Sequence, residues 1–145
     1  MTHLSSGYHA LLLWLMTFLF FTRVVGQILV GIYAPTFLPP WSEWYSGLLP
    51  YPWLLICQIL LLMLMTAVNT DTIRQSGRFH VSSPRAVKIL RVSATIYASI
   101  MIVRYAVVMT FNPEQRWFGG TIPIVFHLIL AFWIFLLSVR SGEKE

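Results

Sequence analysis

The sequence predicts an all-α fold, an integral membrane four-helix bundle with a short interfacial helix in its first outer loop. Of the 145 residues, 57% are hydrophobic and 10% are charged, and the mean hydropathy is +0.72. These values lie outside the range of soluble domains. The chain also contains four apolar stretches, each long enough to cross a bilayer core of about 30 Å. Residues 1–145 are therefore interpreted as a single transmembrane domain.

Hydropathy and helix-breaking residues define the four spans. The predicted spans are residues 8–33, 52–70, 86–110 and 122–139. Pro35 follows the end of the first span, and Pro52 and Pro84 stand at or just before the start of the second and third, where proline is favoured. The first span is interpreted as a retained helix, because residues 1–9 contain no Lys or Arg and a signal peptide begins with a basic segment.

The loop after the first span carries an amphipathic pattern of its own. Trp41, Trp44, Tyr45 and Leu48 are spaced i, i+3, i+4 and i+7, which places them on one face of a short helix. Because Trp and Tyr favour the headgroup layer, this helix is expected to lie flat on the outer leaflet. It is interpreted either as an aromatic anchor or as a lid over a site between the spans.

The distribution of basic residues predicts the orientation of the chain. Seven Lys and Arg residues flank the spans on the side of the middle loop and the C-terminus, whereas only Arg116 lies on the other side. This bias places both termini in the cytoplasm and accounts for the basic pI without nucleic-acid binding. The single cysteine, Cys57, excludes an internal disulfide, a CxxC redox pair and a thiolate metal site.

Two arginines, Arg23 and Arg104, lie inside the apolar stretches, and no carboxylate accompanies them there. A guanidinium keeps its proton, so within a membrane it needs an oxygen-bearing partner. Since successive spans alternate in direction, the strongly polar side chains of all four fall at similar depth in the outer half. The predicted site comprises Arg23, Gln27, Gln58, Arg104, Tyr105 and His127.

Helical spacing also predicts which faces turn inward. Three faces combine polar and apolar residues: Gln58, Leu62, Met65 and Asn69 on span two; Ser93, Tyr97, Ile100 and Arg104 on span three; His127, Ala131, Ile134 and Ser138 on span four. In lipid such faces turn toward neighbouring helices, where polar groups form hydrogen bonds. We therefore expect a bundle with a polar core near its outer end.

Three interpretations of the arginines remain open. In the first, Arg23 and Arg104 pair with Glu43 and Glu114 of the adjoining loops, and the cluster only holds the helices together. In the second, the cluster binds a phospholipid or a quinone in a cavity on the order of several hundred Å³. In the third, the arginines meet carboxylates of another membrane subunit. His127 is expected to form hydrogen bonds rather than to bind a metal.

Two sequence motifs carry a resemblance to a known family. Residues 46–52 read SGLLPYP and are followed by Gln58, and residues 113–127 read PEQRWFGGTIPIVFH. Together with the pair Arg104 and Tyr105, these motifs resemble those of a family of small uncharacterised bacterial four-span inner-membrane proteins. The resemblance implies a bacterial inner membrane and implies no particular activity.

The pattern favours a non-enzymatic accessory or assembly subunit of a larger membrane complex, with a lipid- or quinone-type pocket in the outer leaflet. The expected partners are membrane lipid and other integral membrane subunits, and phospholipid or quinone are the candidate cofactors. The alternative is a stand-alone membrane enzyme or carrier acting on a lipid-like anion. His127 is the only candidate general base at the predicted site, which argues against an enzyme. The chain has no internal repeat, which argues against a carrier.

Overall fold

The computed structural model describes residues 6–44, 50–80, 83–111 and 121–140. These residues form four long helices and one short helix. The helices are α1 (Ser6–Tyr33), α2 (Trp41–Trp44), α3 (Tyr51–Arg74), α4 (Pro84–Phe111) and α5 (Thr121–Arg140). The predicted all-α class is confirmed, and so is a short helix after the first span.

The four long helices are long and apolar enough to cross a membrane, and the chain is an integral membrane protein with four spans. Each helix contains its predicted span, and the largest difference is at the end of α3. The prediction ends that span at residue 70, but α3 continues to Arg74, because polar residues end the apolar run without ending the helix. Gln75 stops α3 by adopting a left-handed conformation (φ 53°), with its N–H directed at the carbonyls of Asp71 and Thr72.

The long helices alternate in direction, and α1 and α5 lie between α3 and α4. His9 Nε2 lies 2.8 Å from the Leu136 carbonyl oxygen, so the start of α1 lies beside the end of α5. Arg91 donates to the Ser138 carbonyl (3.4 Å), so the start of α4 lies beside that same end. α1 packs against both α3 and α5, whereas α4 packs along α5. The end of the bundle that carries α2 is called the α2 end.

The apolar core lies between α1, α3 and α5. Its buried members are Leu13, Met16, Phe20 and Val24 of α1, Met65 and Val68 of α3, and Trp133, Leu136 and Leu137 of α5. Large apolar side chains also cover the outside, where Phe18, Met63 and Val103 are more than half exposed. An apolar exterior around a packed interior is the arrangement that a lipid environment requires.

The predicted inward faces are found on α3 and α5, but on α4 only Tyr97 and Arg104 of the predicted face are partly buried. Gln58 and Asn69 on α3 and Ser138 on α5 are buried, whereas Ser93 and Ile100 on α4 are exposed. The buried residues of α4 are Val87, Ala94 and Met101. A small residue such as alanine lets two helices approach closely, so α4 turns its alanine face toward α5 and its polar face partly outward.

A buried amide joins the three core helices at the end opposite α2. Asn69 Nδ2 donates to Thr17 Oγ1 (2.8 Å) and to the Leu13 carbonyl (3.3 Å), and Asn69 Oδ1 accepts from Trp133 Nε1 (2.8 Å). The side chain is fully buried. Its hydrogen bonds reach α1 and α5 and therefore hold both helices in register with α3.

Replacing Asn69 with leucine should destabilise the bundle, because the change removes hydrogen bonds to two helices and leaves Trp133 Nε1 without its acceptor. We expect a loss of about 1–3 kcal/mol, detected as a lower thermal midpoint of the detergent-solubilised protein. Thr66→Val is the control, since Thr66 is exposed and its hydroxyl bonds the Leu62 carbonyl of its own helix. Equal midpoints for the two variants would contradict the role assigned to Asn69.

Candidate functional site

Arg23 is buried in α1, and its guanidinium contacts neutral oxygens. Nη1 donates to Gln27 Oε1 (3.1 Å), and Nη2 donates to the Trp44 carbonyl (3.4 Å). The side chain is only 7% exposed, and its Nε has no hydrogen-bond partner among the described residues. Cζ lies 5.6 Å from the centre of the Phe126 ring, within cation–π range. Within the described part of the chain, two neutral oxygens and one aromatic face therefore contact the guanidinium.

The amide of Gln27 extends this cluster to α3. Gln27 Oε1 accepts a second hydrogen bond from Gln58 Nε2 (3.0 Å). Both glutamines are buried, yet Gln27 Nε2 and Gln58 Oε1 have no partner within the described part of the chain. The Asn69 network uses both its amide nitrogen and its amide oxygen. The cluster at the α2 end instead keeps unused donors and an unused acceptor.

His127 of α5 approaches the cluster from the other side. Its Nδ1 lies 2.5 Å from the Tyr97 hydroxyl of α4, and the two rings meet edge to face. Arg23 and Arg104 both act electrostatically on this imidazole. His127 therefore occupies a region of positive potential to which α1 and α4 each contribute one guanidinium.

A cavity of about 180 Å³ opens between α1, α3 and α5 near the α2 end. Arg23, Gln58 and His127 form its polar wall. The rest of the wall consists of Phe20, Trp44, Leu54, Cys57, Leu61, Pro123, Phe126 and Leu130. The volume is smaller than predicted because aromatic rings fill much of the space, but a cavity of about 150 Å³ already holds benzene. Cys57 is exposed, so the cavity reaches the outer surface of the bundle beside α3.

The short helix α2 folds back onto α1 and contributes to the cavity wall. Trp44 is 8% exposed, and its Nε1 donates to the Pro39 carbonyl (3.0 Å). A Cβ atom at Gly26 would lie 2.6 Å from the Trp44 ring, and one at Gly31 would lie 3.1 Å from the ring of Trp41. Two glycines of α1 therefore make room for two tryptophans. If α2 covers the cavity as a lid, it needs close contact of this kind with α1.

The structure brings four of the predicted site residues into one cluster, namely Arg23, Gln27, Gln58 and His127. Arg104 and Tyr105 are partly buried, and neither belongs to the cavity wall as the described residues define it. The reason is the position of α4. This helix packs along α5, so its side chains approach His127 from the side away from the cavity.

The predicted ion pairs and the full aromatic stripe extend beyond the described residues. Glu114, one of the two expected carboxylate partners, lies outside them, and so do Tyr45 and Leu48. Glu43 belongs to α2, and the hydrogen bond that Arg23 donates to this helix goes to the Trp44 carbonyl.

Sequence reasoning did not assign Gly26, Gly31, Tyr97 or Phe126 to the site. A signal exists for the glycines, because glycine inside a helix costs about 1 kcal/mol relative to alanine and indicates a close approach. Tyr97 stands on the predicted inward face of span three, but its contact with His127 depends on how α4 is rotated against α5.

Comparisons with family models, with curated proteins and with solved structures found no match. No family is identified in this way, and the resemblance carried by the two motifs stays an expectation. The described residues contain no group of three His, Cys, Asp or Glu side chains that could hold a metal ion. The chemistry that the cluster offers is hydrogen bonding together with recognition of negative charge.

Replacing Gly26 with alanine should lower the thermal midpoint, although alanine is the better helix former. The added methyl group would lie 2.6 Å from the buried Trp44 ring, and overpacking of this kind costs about 1–3 kcal/mol. Gly7→Ala is the matched control, since a Cβ atom at Gly7 meets nothing within 4 Å.

A double variant separates the contact with α2 from other effects of the substitution. In a Trp44→Leu background the smaller side chain removes the clash, so the further change Gly26→Ala should have little effect on the midpoint. If Gly26→Ala were as stable as Gly7→Ala in the native background, the close packing of α2 on α1 would be contradicted.

Proposed function

We propose that this protein binds the headgroup of an anionic membrane lipid in the cavity at the α2 end, and that it acts as a non-enzymatic accessory or assembly subunit of a larger membrane complex. The burial of Arg23 on the wall of a cavity that reaches the bundle surface supports the lipid site. The position of Arg104 supports the accessory role.

The charge of the cluster favours an anionic ligand. A buried guanidinium gains most from a negatively charged oxygen, but among the described residues the hydrogen bonds of Arg23 go to two neutral oxygens and its Nε has no partner. Arg104 adds a second positive charge on the far side of His127. A phosphate group would be attracted by these positive charges and could accept a hydrogen bond from Arg23 Nε. Arginine is well suited to phosphate.

The shape of the cavity favours an amphiphile. Its polar wall includes Gln58 and His127, and one turn further from the α2 end the wall continues with Leu61 and Leu130. A headgroup bound at the polar wall would therefore direct its acyl chains along apolar side chains between α3 and α5. The volume of about 180 Å³ accommodates a headgroup rather than a whole lipid.

A quinone headgroup is the second candidate. Gln58 and His127 both stand on the cavity wall, and amide or imidazole N–H groups can donate to quinone carbonyls. A neutral quinone leaves the charge of Arg23 without an anion, and for this reason we favour the lipid.

The position of Arg104 supports a role beside another membrane subunit. It lies in a span, is partly buried, and makes no hydrogen bond or ion pair among the described residues. A guanidinium inside a membrane needs an oxygen-bearing partner, which a carboxylate of a second subunit would supply. α4 is available for such a contact because most of its surface is exposed.

We also propose a bacterial inner membrane with both termini in the cytoplasm, which would put the cavity in the outer leaflet. The bias of basic residues toward the end opposite α2 and the family resemblance support this location.

The orientation can be tested with single cysteines at exposed positions on either side, in a Cys57→Ser background. Ser42→Cys of α2 should react with a membrane-impermeant maleimide in intact cells, whereas Ser76→Cys after α3 should react only once the membrane is permeabilised. Both serines are exposed. The reverse pattern would overturn the proposed orientation.

Two arginine substitutions test the two parts of the proposed function in one experiment. The protein is purified in a mild detergent, and its bound lipids and proteins are measured by native mass spectrometry. Arg23→Gln should weaken binding of anionic lipid by about ten- to hundredfold, since it removes a charged donor from the wall. Arg104→Gln should release the partner subunit and weaken lipid binding much less than Arg23→Gln, because Arg104 does not belong to the cavity wall as the described residues define it.

Each variant serves as the control for the other, and Arg104→Lys, which keeps the charge, should retain more partner than Arg104→Gln. Unchanged lipid binding in Arg23→Gln would overturn the lipid site. Co-purification of a quinone that depends on Arg23, without anionic lipid, would favour the second candidate. Retention of the same partner by Arg104→Gln would overturn the accessory role assigned to this residue.

A further inference from the structure

The hydrogen-bond chain of Arg23 determines how two amides are oriented. A guanidinium can only donate hydrogen bonds, so the atom of Gln27 that faces Arg23 must be its oxygen, Oε1. The same oxygen lies 3.0 Å from the side-chain amide of Gln58. The group of Gln58 that faces it must therefore be the nitrogen, Nε2.

This orientation leaves Gln58 Oε1 as an acceptor without a donor. The atom is buried and has no partner among the described residues, and Gln58 stands on the cavity wall. Flipping its amide would bring two oxygens together, because the arginine prevents Gln27 from flipping as well. Arg23, a cationic donor, and Gln58, whose buried oxygen is an acceptor without a partner among the described residues, thus both stand on the cavity wall.

We propose, on the basis of the lipid site proposed above, that the ligand is an anionic phosphodiester whose headgroup carries a free hydroxyl. The phosphate accepts from Arg23, and the hydroxyl donates to Gln58 Oε1. A hydroxyl is favoured over an ammonium group as this donor, because Arg23 and Arg104 both make the region positive and would repel a second cation.

The experiment measures the affinity of the full-length protein, in mild detergent, for lipids that differ only in the headgroup. Phosphatidylglycerol and phosphatidylmethanol carry the same single negative charge, but only the first has hydroxyl donors. Phosphatidylethanolamine supplies an ammonium donor without net charge. We expect the native protein to bind phosphatidylglycerol about two- to tenfold more tightly than phosphatidylmethanol, as one hydrogen bond would provide.

Gln58→Met should abolish that preference, since it removes Oε1 at similar volume, while the affinity for phosphatidylmethanol changes less than in Arg23→Gln. Leu54→Met is the matched control, because it changes an apolar residue of the same wall and should keep the preference. The comparison of lipids on the native protein remains decisive even if Gln58→Met does not fold.

The outcomes separate the two proposals. Equal binding of phosphatidylglycerol and phosphatidylmethanol, both lost in Arg23→Gln, would overturn the hydroxyl assignment and leave the lipid site standing. Stronger binding of phosphatidylethanolamine would also overturn the hydroxyl assignment. Binding of all three lipids that is independent of Arg23 would overturn the lipid site itself and the inference with it.

Discussion

The burial of one guanidinium constrains the whole α2 end of this protein. Arg23 keeps its charge in an apolar layer, so oxygen acceptors have to be arranged around it. Gln27 provides one acceptor from the same helix. The chain beyond α1 turns back so that the Trp44 carbonyl provides another, and Gln58 brings α3 alongside through the oxygen that Arg23 already uses. The packing of α2 and α3 against α1 is therefore linked to the hydrogen bonds that one side chain, Arg23, requires.

The two polar layers of the bundle differ in how completely they are satisfied. At the end opposite α2, Asn69 uses its amide nitrogen and oxygen in bonds to α1 and α5, as expected for a purely structural network. At the α2 end, Arg23, Gln27 and Gln58 each keep a buried polar atom without a partner among the described residues. Unsatisfied buried groups are costly, and among the described residues three of the four such side-chain atoms lie at this end, the fourth being His9 Nδ1 at the opposite end. This contrast within one chain is the reason for placing the function at the α2 end.

The helices also differ in what they contribute. α1, α3 and α5 enclose the apolar core and the cavity, whereas α4 is attached along α5. α4 nevertheless places Tyr97 against His127 and adds the charge of Arg104 to the same region. Changes on the outer face of α4 are therefore expected to affect association with other proteins more than the integrity of the core.

The sequence by itself determined the four spans, the short helix α2 and four members of the cluster. Hydropathy is decisive here because a lipid-facing segment must be apolar and must satisfy its backbone hydrogen bonds internally, as a helix does. Arg23, Gln27, Gln58 and His127 could be recognised because polar residues stand out in such segments. The family resemblance and the orientation rest on sequence alone.

Only the tertiary structure decided the relations between helices. The inward face of α4, the packing of Trp44 on Gly26 and the contact of Tyr97 with His127 all depend on the distance and rotation of one helix against another. Small side chains such as Ala94 set these relations by allowing close approach, and their effect cannot be read from the periodicity of a single helix. The wall of the cavity is also a joint property of several helices. For this reason Arg104, at the predicted depth along its own span, lies behind His127 instead of beside Arg23.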